Sequence, residues 1–532
     1  MKSNIFGYLF FIFIIVIMGF AIYKVNYSDT DSDDTSTDGE TTSTASTEMG
    51  TDLTVGISEF DTINPIITTN KKVQDITKLI YESLVEITED GNVEPLLAKE
   101  WETSDNLTYI IKLNSGITWS DGTEFSSDDV KYTIDRLKET SDSVYSDNVE
   151  YVKEVDIVDD TTLRIILSTE VPFFEYYLNF PILSSSYYGD DDFWDTDKNE
   201  APITTGRFEI TDVTNSTITL TKNENWWNIE ENDSIIETIT INIYSTVAEL
   251  YNAFKLGSID FLATTNSNYS EYIGTIGYDI DEIEGRNFVF LALNTQSSLL
   301  SDTEVRKAIR YAINKDDIVS NIYSNTYMRA NFPLNTTSYL VEDSNDSYYD
   351  TSAVTTTLED AGWSLKNSQW QKVIDYTTTK LELNLVVKSG TDRESVAESI
   401  KSSLAEQGIT INIIQASSSD YENYLESKDY DLILCESTIS IAPDLTTYFG
   451  DNNLANYSNS EVSEIMGYID NLTDEEELKT AFQKLYNYYN DDVPYIGIAR
   501  NKIYVITNSY LTGEISSRWY NLFFNFKDWY TN

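Results

Sequence analysis

Two kinds of hydrophobic pattern, one typical of strands and one typical of helices, alternate along the chain. Residues 53–57 alternate apolar and polar side chains, as a half-buried strand does, and residues 109–113 and 162–167 repeat this pattern. Residues 75–87 and 130–137 instead carry apolar side chains at the spacing of one helical face. Because helices and strands alternate, this part of the chain predicts the α/β or mixed α+β class.

The second half of the chain continues the alternation. Strands are predicted at residues 235–244, 288–294, 380–387, 409–414 and 430–434, and helices at residues 301–319 and 393–406. Ser301 and Glu304 form a capping box at the start of the first of these helices. No proline-rich linker sets this second lobe apart, so ordinary strands join the two lobes in a way that suits hinged closure.

The amino terminus carries a long apolar run, residues 5–23. This run is about long enough to cross a bilayer, so we expect residues 1–27 to be a signal-anchor or uncleaved transmembrane segment. A cleaved signal peptide is the alternative. Residues 28–50 are rich in Ser, Thr and Asp, which predicts an acidic, disordered tether. The folded part is then expected at the cell surface, anchored in the cytoplasmic membrane.

Charge and residue counts exclude several classes of function. With 35 Lys+Arg against 89 Asp+Glu, the net charge of -54 repels phosphate groups, so nucleic acid is not expected as a partner. The chain has 0 His, which excludes His-based catalytic triads and ordinary zinc sites. Cys435 is the single cysteine and lies in the apolar run YDLILCES, where we expect a buried small hydrophobic residue.

The stretch TWSDGTEFSSDDVKYTIDRLK, residues 118–138, gathers five acidic residues around one glycine. Its spacing does not match the calcium loop of an EF-hand. A tight turn at residues 120–122, followed by Ser126 as a helix N-cap with Asp129 three positions later, explains the pattern better. We therefore predict a structural role for these acids, with no metal ligand and no catalytic residue among them.

A set of motifs follows in order along the chain. The first combines Pro95, Leu97, Ala98, Trp101, Tyr109, Leu113, Gly116, the WSDGT of residues 119–123, Asp129 and Val130. The others are INP at 63–65, TTGRFEI at 204–210, KNENWW at 222–227, LALNTQ at 291–296, LEDAGW at 358–363 and VPYIGI at 493–498. Together they resemble the family 5 extracellular solute-binding proteins, the peptide-binding components of ABC importers.

The resemblance implies a fold and its boundaries. Members of this family have a two-lobed α/β fold, the type II, cluster C form of the periplasmic binding proteins, with an extra subdomain in the first lobe. By analogy, the first lobe takes residues 51–84, 163–285 and 500–532, the subdomain 85–162, and the second lobe 286–499.

The resemblance also implies a binding protein and not an enzyme. Family members capture oligopeptides or other small solutes and deliver them to a membrane permease, whose partner ATPase subunits supply the energy. We expect a monomer that needs no cofactor and is tied to the membrane by its N-terminal helix. A receptor for signalling peptides and a binder of a sugar or metal chelate are alternatives. An extracellular carboxylate-dependent hydrolase is a further one.

Peptide recognition in the family resembles strand addition, in which the ligand backbone pairs with the protein backbone. The resemblance assigns this role to residues 69–71 and 436–440. The expected ligand-binding residues are Thr69, Asn70, Lys71, Glu436, Ser437, Thr438, Ile439, Ser440 and Arg500. Lys71 or Arg500 is expected to face a ligand carboxylate.

One departure from the family pattern affects the ligand. Many members have an Asp shortly before the proline of the second segment, where it binds the free amine of a peptide. The segment CESTISIAPDL has Ile439 or Ser440 at that position. Glu436 or Asp444 is our hypothesis for a substitute charge partner. A blocked peptide, a signalling peptide or a non-peptide solute is the alternative.

Overall fold

The computed structural model describes residues 49–189, 194, 196–266, 269, 277–343, 345–472 and 474–532. The predicted membrane segment and nearly all of the predicted tether, residues 1–48, lie outside the described residues. Within the described ranges, no helix is both long enough and apolar enough to cross a bilayer.

Strands occur along the whole described chain. Those before residue 270 are β1 (Asp52–Ser58), β2 (Val85–Ile87), β3 (Val93–Pro95), β4 (Ala98–Thr103), β5 (Thr108–Leu113), β6 (Val152–Asp159), β7 (Thr162–Leu167), β8 (Phe208–Val213), β9 (Thr217–Lys222), β10 (Thr238–Tyr244) and β11 (Phe261–Thr264). Those after it are β12 (Tyr278–Leu293), β13 (Tyr327–Arg329), β14 (Ser364–Lys366), β15 (Gln369–Ile374), β16 (Thr377–Lys380), β17 (Glu382–Lys388), β18 (Thr410–Ala416), β19 (Leu432–Thr438), β20 (Tyr495–Asn508), β21 (Leu511–Thr512), β22 (Ser516–Arg518), β23 (Asn521–Phe524) and β24 (Tyr530–Thr531).

Helices alternate with these strands, which confirms the predicted α/β class. They are α1 (Lys71–Thr77), α2 (Ser127–Glu139), α3 (Ser185–Tyr188), α4 (Ile229–Asn232), α5 (Val247–Lys255), α6 (Thr303–Ala312), α7 (Lys315–Asp317), α8 (Thr351–Asp360), α9 (Arg393–Glu406), α10 (Ser418–Ser427), α11 (Thr446–Phe449), α12 (Ser460–Met466) and α13 (Glu475–Asp492). Short 3₁₀ helices lie at Ser146–Val149, Phe174–Leu178, Asp197–Asn199, Ile469–Asn471 and Phe526–Asp528, and a π-helix at Ile318–Ile322.

The largest sheet joins both halves of the chain. Among the described residues its eleven strands follow the order β18-β17-β19-β12-β20-β11-β1-β10-β9-β8, with β13 beside β20. We call the part built on β1 and β8–β11 the first lobe and the part built on β17–β19 the second lobe. Strands β12 and β20 pair with each other along most of their length, and they run from one lobe into the other.

The pairing of β12 with β20 is interrupted at residues 285–287, which we call the hinge bulge. The Asn501 amide covers Gly285 so closely that a Cβ added there would lie 2.4 Å from the amide oxygen. The same oxygen accepts a hydrogen bond of 2.8 Å from the backbone N–H of Asn287. A bulge leaves its middle residue outside the ladder, so Arg286 is free to point elsewhere.

A separate four-stranded antiparallel sheet, β4-β5-β7-β6, packs with α2, and we call this unit the subdomain. The predicted N-cap of α2 at Ser126 is confirmed, and with Asp129 it forms a capping box in which the Asp129 carboxylate accepts 2.9 Å from the Ser126 N–H. The indole N–H of Trp119 donates 3.3 Å to this same oxygen, and the other oxygen accepts from the backbone N–H and the hydroxyl of Ser185. The predicted turn also forms, with Gly122 in the left-handed region.

The helix predicted at residues 75–87 is wrong. Helix α1 ends at Thr77, and β2 occupies Val85–Ile87. The carbonyls of Leu79 and Ile80 instead accept from the backbone N–H groups of Phe208 and Gly206. Gly206 lies so close to Ile80 that any larger residue would clash with its backbone. A distant segment therefore takes the hydrogen bonds that would have continued the helix.

The start of α6 also differs in detail from the prediction. Its N-cap is Asp302, whose side chain accepts 3.1 Å from the Glu304 N–H, and not Ser301. A carboxylate at this position satisfies a free N–H group and lies at the positive end of the helix dipole. The predicted boundaries of the two lobes and the subdomain stay a prediction.

Candidate functional site

A cavity of about 1070 Å³ lies between the first lobe with its subdomain and the second lobe. Helix α1 and the segment that follows it form one side, and the second lobe contributes Ser440 and Ile441. The hinge bulge closes the base with Arg286 and Asn287, beside Asn501 of β20. A cleft of this size between two lobes is the usual place for a ligand site.

Aromatic side chains form much of the cavity wall. They are Tyr81, Tyr145, Tyr151, Tyr176, Tyr177, Trp226, Trp519, Tyr520, Phe523 and Phe526. Such rings offer a broad apolar contact area, and Tyr and Trp add a polar edge. The abundance of Tyr and Trp in the sequence, 38 and 9 residues, is thus partly used in this cavity.

Of the first predicted segment, Thr69 and Lys71 line the cavity. The backbone N–H of Thr69 donates 2.8 Å to the Asp61 carboxylate. The Lys71 ammonium forms an ion pair of 2.5 Å with Asp75 and stays largely exposed. Asn70 instead caps α1: its carbonyl oxygen accepts from the Lys72 N–H, and its amide donates to the carbonyls of residues 58 and 59. Its side chain is therefore used within the protein.

Of the second predicted segment, Ser440 lines the cavity. Glu436 forms an ion pair of 3.0 Å with Arg393, and Ser437 shares a hydrogen bond of 2.9 Å with Tyr448. Ile439 is buried, with 4% of its surface exposed. Thr438 ends β19 opposite Asn287.

One edge of β19 lacks a strand neighbour over most of its length. Its pairing with β12 covers Leu432 to Thr438, whereas its pairing with β17 covers Leu432 and Ile433 alone within the described residues. From residue 434 onward, the second edge has no strand neighbour in the described part of the chain, although the Leu434 carbonyl accepts 2.8 Å from the Tyr421 hydroxyl. An open edge can accept an added strand, and β19 ends two residues before Ser440 at the cavity.

Arg500 lies in the interior, with 1% of its surface exposed. It forms an ion pair of 2.7 Å with Glu284 and donates to the carbonyls of Phe332 and Leu334. Its charge is therefore balanced within the protein, where β12 and β20 cross between the lobes.

Asp444 lies near the cavity wall. Burial raises the pKa of the Tyr177 phenol, and the carboxylates of Asp444 and Asp147 raise it further. Tyr177 lines the cavity, so its neighbour Asp444 lies close to the cavity as well. Its own carboxylate also accepts 2.8 Å from the Thr446 N–H.

A buried carboxyl group faces the cavity from the first lobe. Glu82 accepts hydrogen bonds from the indole N–H groups of Trp226 at 2.9 Å and Trp227 at 2.8 Å. Burial raises the pKa of Glu82 to about 7, although these donors and the nearby Arg207 favour the ionised form. The KNENWW motif marked these tryptophans, but nothing in the sequence connected them with Glu82.

The cavity holds four basic side chains, and three have compensating neighbours. Lys71 has Asp75, and the Lys78 ammonium donates to the Tyr520 carbonyl, while burial lowers the pKa of Lys78 to about 8. Arg207 lies over the Trp226 ring and has Glu82 and Glu86 nearby. The fourth is Arg286, whose side chain forms one hydrogen bond and no ion pair within the described residues.

Sequence reasoning missed the residues of the hinge bulge. The available signal was the charged triplet EGR before the apolar run FVFLAL, because a polar break inside a long strand pattern often marks a bulge. Cys435 behaves as predicted, being 4% exposed, and burial raises the pKa of its thiol to about 12. Across the described ranges, no three acidic or thiol side chains converge as metal ligands.

Comparisons with known proteins bear on the family and the fold of the chain. The family described as bacterial extracellular solute-binding proteins, family 5 Middle, matches residues 92–458. The oligopeptide-binding protein OppA of Bacillus subtilis is 23% identical over 502 residues, covering 87% of this chain and 89% of its own. Heme-binding protein A of Haemophilus influenzae is 23% identical over 479 residues, covering 82% and 84%.

A solved structure supports the fold. The crystal structure of a nickel ABC transporter protein from Bacillus halodurans aligns with a TM-score of 0.73 at 21% identity, covering 89% of this chain and 98% of its own. The predicted two-lobed α/β fold is thereby confirmed.

Proposed function

Because this chain belongs to the family 5 bacterial extracellular solute-binding proteins of ABC importers, which are not enzymes, we propose that it captures oligopeptides between its lobes. It then delivers them to a membrane permease driven by ATPase subunits. Binding proteins of this family work outside the cytoplasmic membrane, in the periplasm or at the cell surface. Residues 1–27 would hold this chain at the surface as a monomer.

The cavity between the lobes carries the proposal. Its volume of about 1070 Å³ is at the upper end for small-molecule sites, and it suits a short peptide better than a single ion. Mixed aromatic and polar walls accept varied side chains, while the open edge of β19 supports backbone pairing near Ser440. Thr69, Lys71 and Ser440 are the sequence-predicted residues that this cavity supports as ligand contacts.

A metal chelate or heme is the second candidate. The relatives include a heme-binding protein and a nickel transporter protein, so family membership alone does not select the solute. The chain also has no Asp at the position where many peptide binders hold the free amine.

Native mass spectrometry of the purified full-length chain tests the proposal. We expect copurified peptides, or one-to-one binding from a pool of tri- to hexapeptides, because one cavity closes over one ligand. A matched incubation with nickel–histidine chelate and with heme serves as the comparison. Binding of a chelate or heme without binding of any peptide would contradict the peptide assignment and favour the second candidate.

A further inference from the structure

The hinge bulge turns the Arg286 side chain into the cavity and fixes it there. Its Nε donates 3.1 Å to the Ile439 carbonyl, and its own carbonyl accepts 2.8 Å from the Ile439 N–H. Its guanidinium carbon lies 4.5 Å from the centre of the Trp519 ring. The Nε atom and one face of the guanidinium are thus held in place before any ligand binds. Binding a ligand through the two terminal nitrogens therefore costs less side-chain entropy.

The two terminal nitrogens of Arg286 have no hydrogen bond and no ion pair with any described residue. The side chain is open to solvent in the cavity, while the surrounding protein removes part of its hydration and lowers the pKa of Arg286. Each of the other cavity cations has an acid nearby: Asp75 for Lys71 and Lys78, and Glu82 for Arg207.

We infer that Arg286 is the anion subsite of the cavity and that the transported ligand carries a carboxylate bound by its two free nitrogens. This inference rests on the proposed function of the same cavity. A guanidinium with two parallel N–H donors matches a carboxylate in charge and shape. Asn287, Ser440 and Asn501 line the cavity nearby and supply further polar groups.

A peptide can offer Arg286 a carboxylate in two ways, from its C-terminus or from an Asp or Glu side chain. Three synthetic pools of tri- to hexapeptides separate them. The first has free C-termini and no Asp or Glu, the second is the same with amidated C-termini, and the third is amidated with one Glu. Affinities are measured with the full-length chain by titration calorimetry and by competition in native mass spectrometry.

We expect the wild-type chain to bind the first or the third pool on the order of 10- to 100-fold more tightly than the second, as for a charge-assisted contact. Arg286→Gln should reduce this ratio to about 1 to 3. This ratio of affinities is the readout because a general loosening of the end of β19 would weaken the binding of all three pools equally. Arg329→Gln removes the same charge from an exposed ion pair with Asp316, and it should keep the ratio.

Equal binding of all three pools by the wild type would overturn the inference while leaving the peptide function intact. So would a ratio that survives in Arg286→Gln and is lost in Arg207→Gln. If no pool binds, the peptide function fails, and nickel–histidine chelate becomes the carboxylate probe. Loss of chelate binding in Arg286→Gln then supports the subsite, whereas equal binding, or none by either protein, overturns it.

Discussion

At the scale of single residues, Asp129 and Arg286 mark what a sequence can and cannot reveal. The bond from Ser126 to Asp129 was predictable because it depends on a spacing of three residues at a helix start. The additional donors from Trp119 and Ser185 were not, because they come from other segments. Arg286 depends on how two distant strands pair, so no local pattern assigns its side chain to the cavity.

Glu82 gives a prediction about pH at this scale. Its pKa is raised from the ordinary value of 4.5 to about 7, so the folded chain binds this proton more tightly than the unfolded chain does. Between these values the folded state holds more protons, and stability therefore falls as pH rises, by up to about 1.4 kcal/mol per unit. Glu82→Gln should remove this contribution, as measured by urea unfolding at pH 4.5, 6 and 7.5.

Comparing the wild type with Glu82→Gln separates the contribution of Glu82 to the pH dependence of stability from that of the other titrating groups. Burial also raises the pKa of Glu175 to about 6 and lowers that of Lys315 to about 7, but both groups are present in both proteins. An unchanged difference in stability between wild type and Glu82→Gln at all three pH values would contradict the prediction.

At the scale of elements, the long strands β12 and β20 decide how the lobes are joined. The pattern predicted the apolar end of β12 correctly, yet its first half, YDIDEI, alternates with exposed acids and gave no strong signal. The helix predicted at residues 75–87 failed for the related reason that Gly206 and Phe208 take its hydrogen bonds from afar. Local periodicity identifies elements, while pairing between distant segments sets where they end.

The buried ion pair between Glu284 and Arg500 is expected to be costly to break at this crossing. Glu284→Gln leaves the Arg500 charge uncompensated in the interior, which should cost about 3–5 kcal/mol of unfolding free energy. Urea unfolding followed by circular dichroism measures the loss. Glu282→Gln is the matched control, because Glu282 pairs with Lys502 on the same strands but is exposed, and its loss should stay within about 1 kcal/mol. Equal effects of the two substitutions would argue against a special role for the buried pair.

At the scale of the whole molecule, the motif order predicted the family and the two-lobed fold, because those motifs are spread in a fixed order over residues 63–498. The cavity was harder to foresee. Its walls come from both lobes, the subdomain and the C-terminal segment, and six of the nine predicted ligand residues do not line it. The chemistry of the site depends on which surfaces the two lobes bring together. The motifs shared with the family predict only part of the residues on those surfaces.

The net charge of -54 predicts a stability that depends on salt. Repulsion among the acids opposes the compact state, and raising NaCl from about 20 mM to about 200 mM shortens the screening length to below about 10 Å. We expect the melting temperature to rise over this range, as measured by differential scanning fluorimetry. CaCl2 at equal ionic strength is the control: a much larger rise with calcium would contradict the structural role assigned to the acids of residues 118–138.

The burial of Cys435 has a practical consequence for following lobe motion. Its thiol is enclosed next to Tyr421 and is held protonated, so the native protein should not react with maleimide or iodoacetamide dyes. Cysteines introduced in pairs on the two lobes would then be the sole attachment points for fluorophores. The distance between the lobes can thus be tracked in single molecules without first removing the natural cysteine.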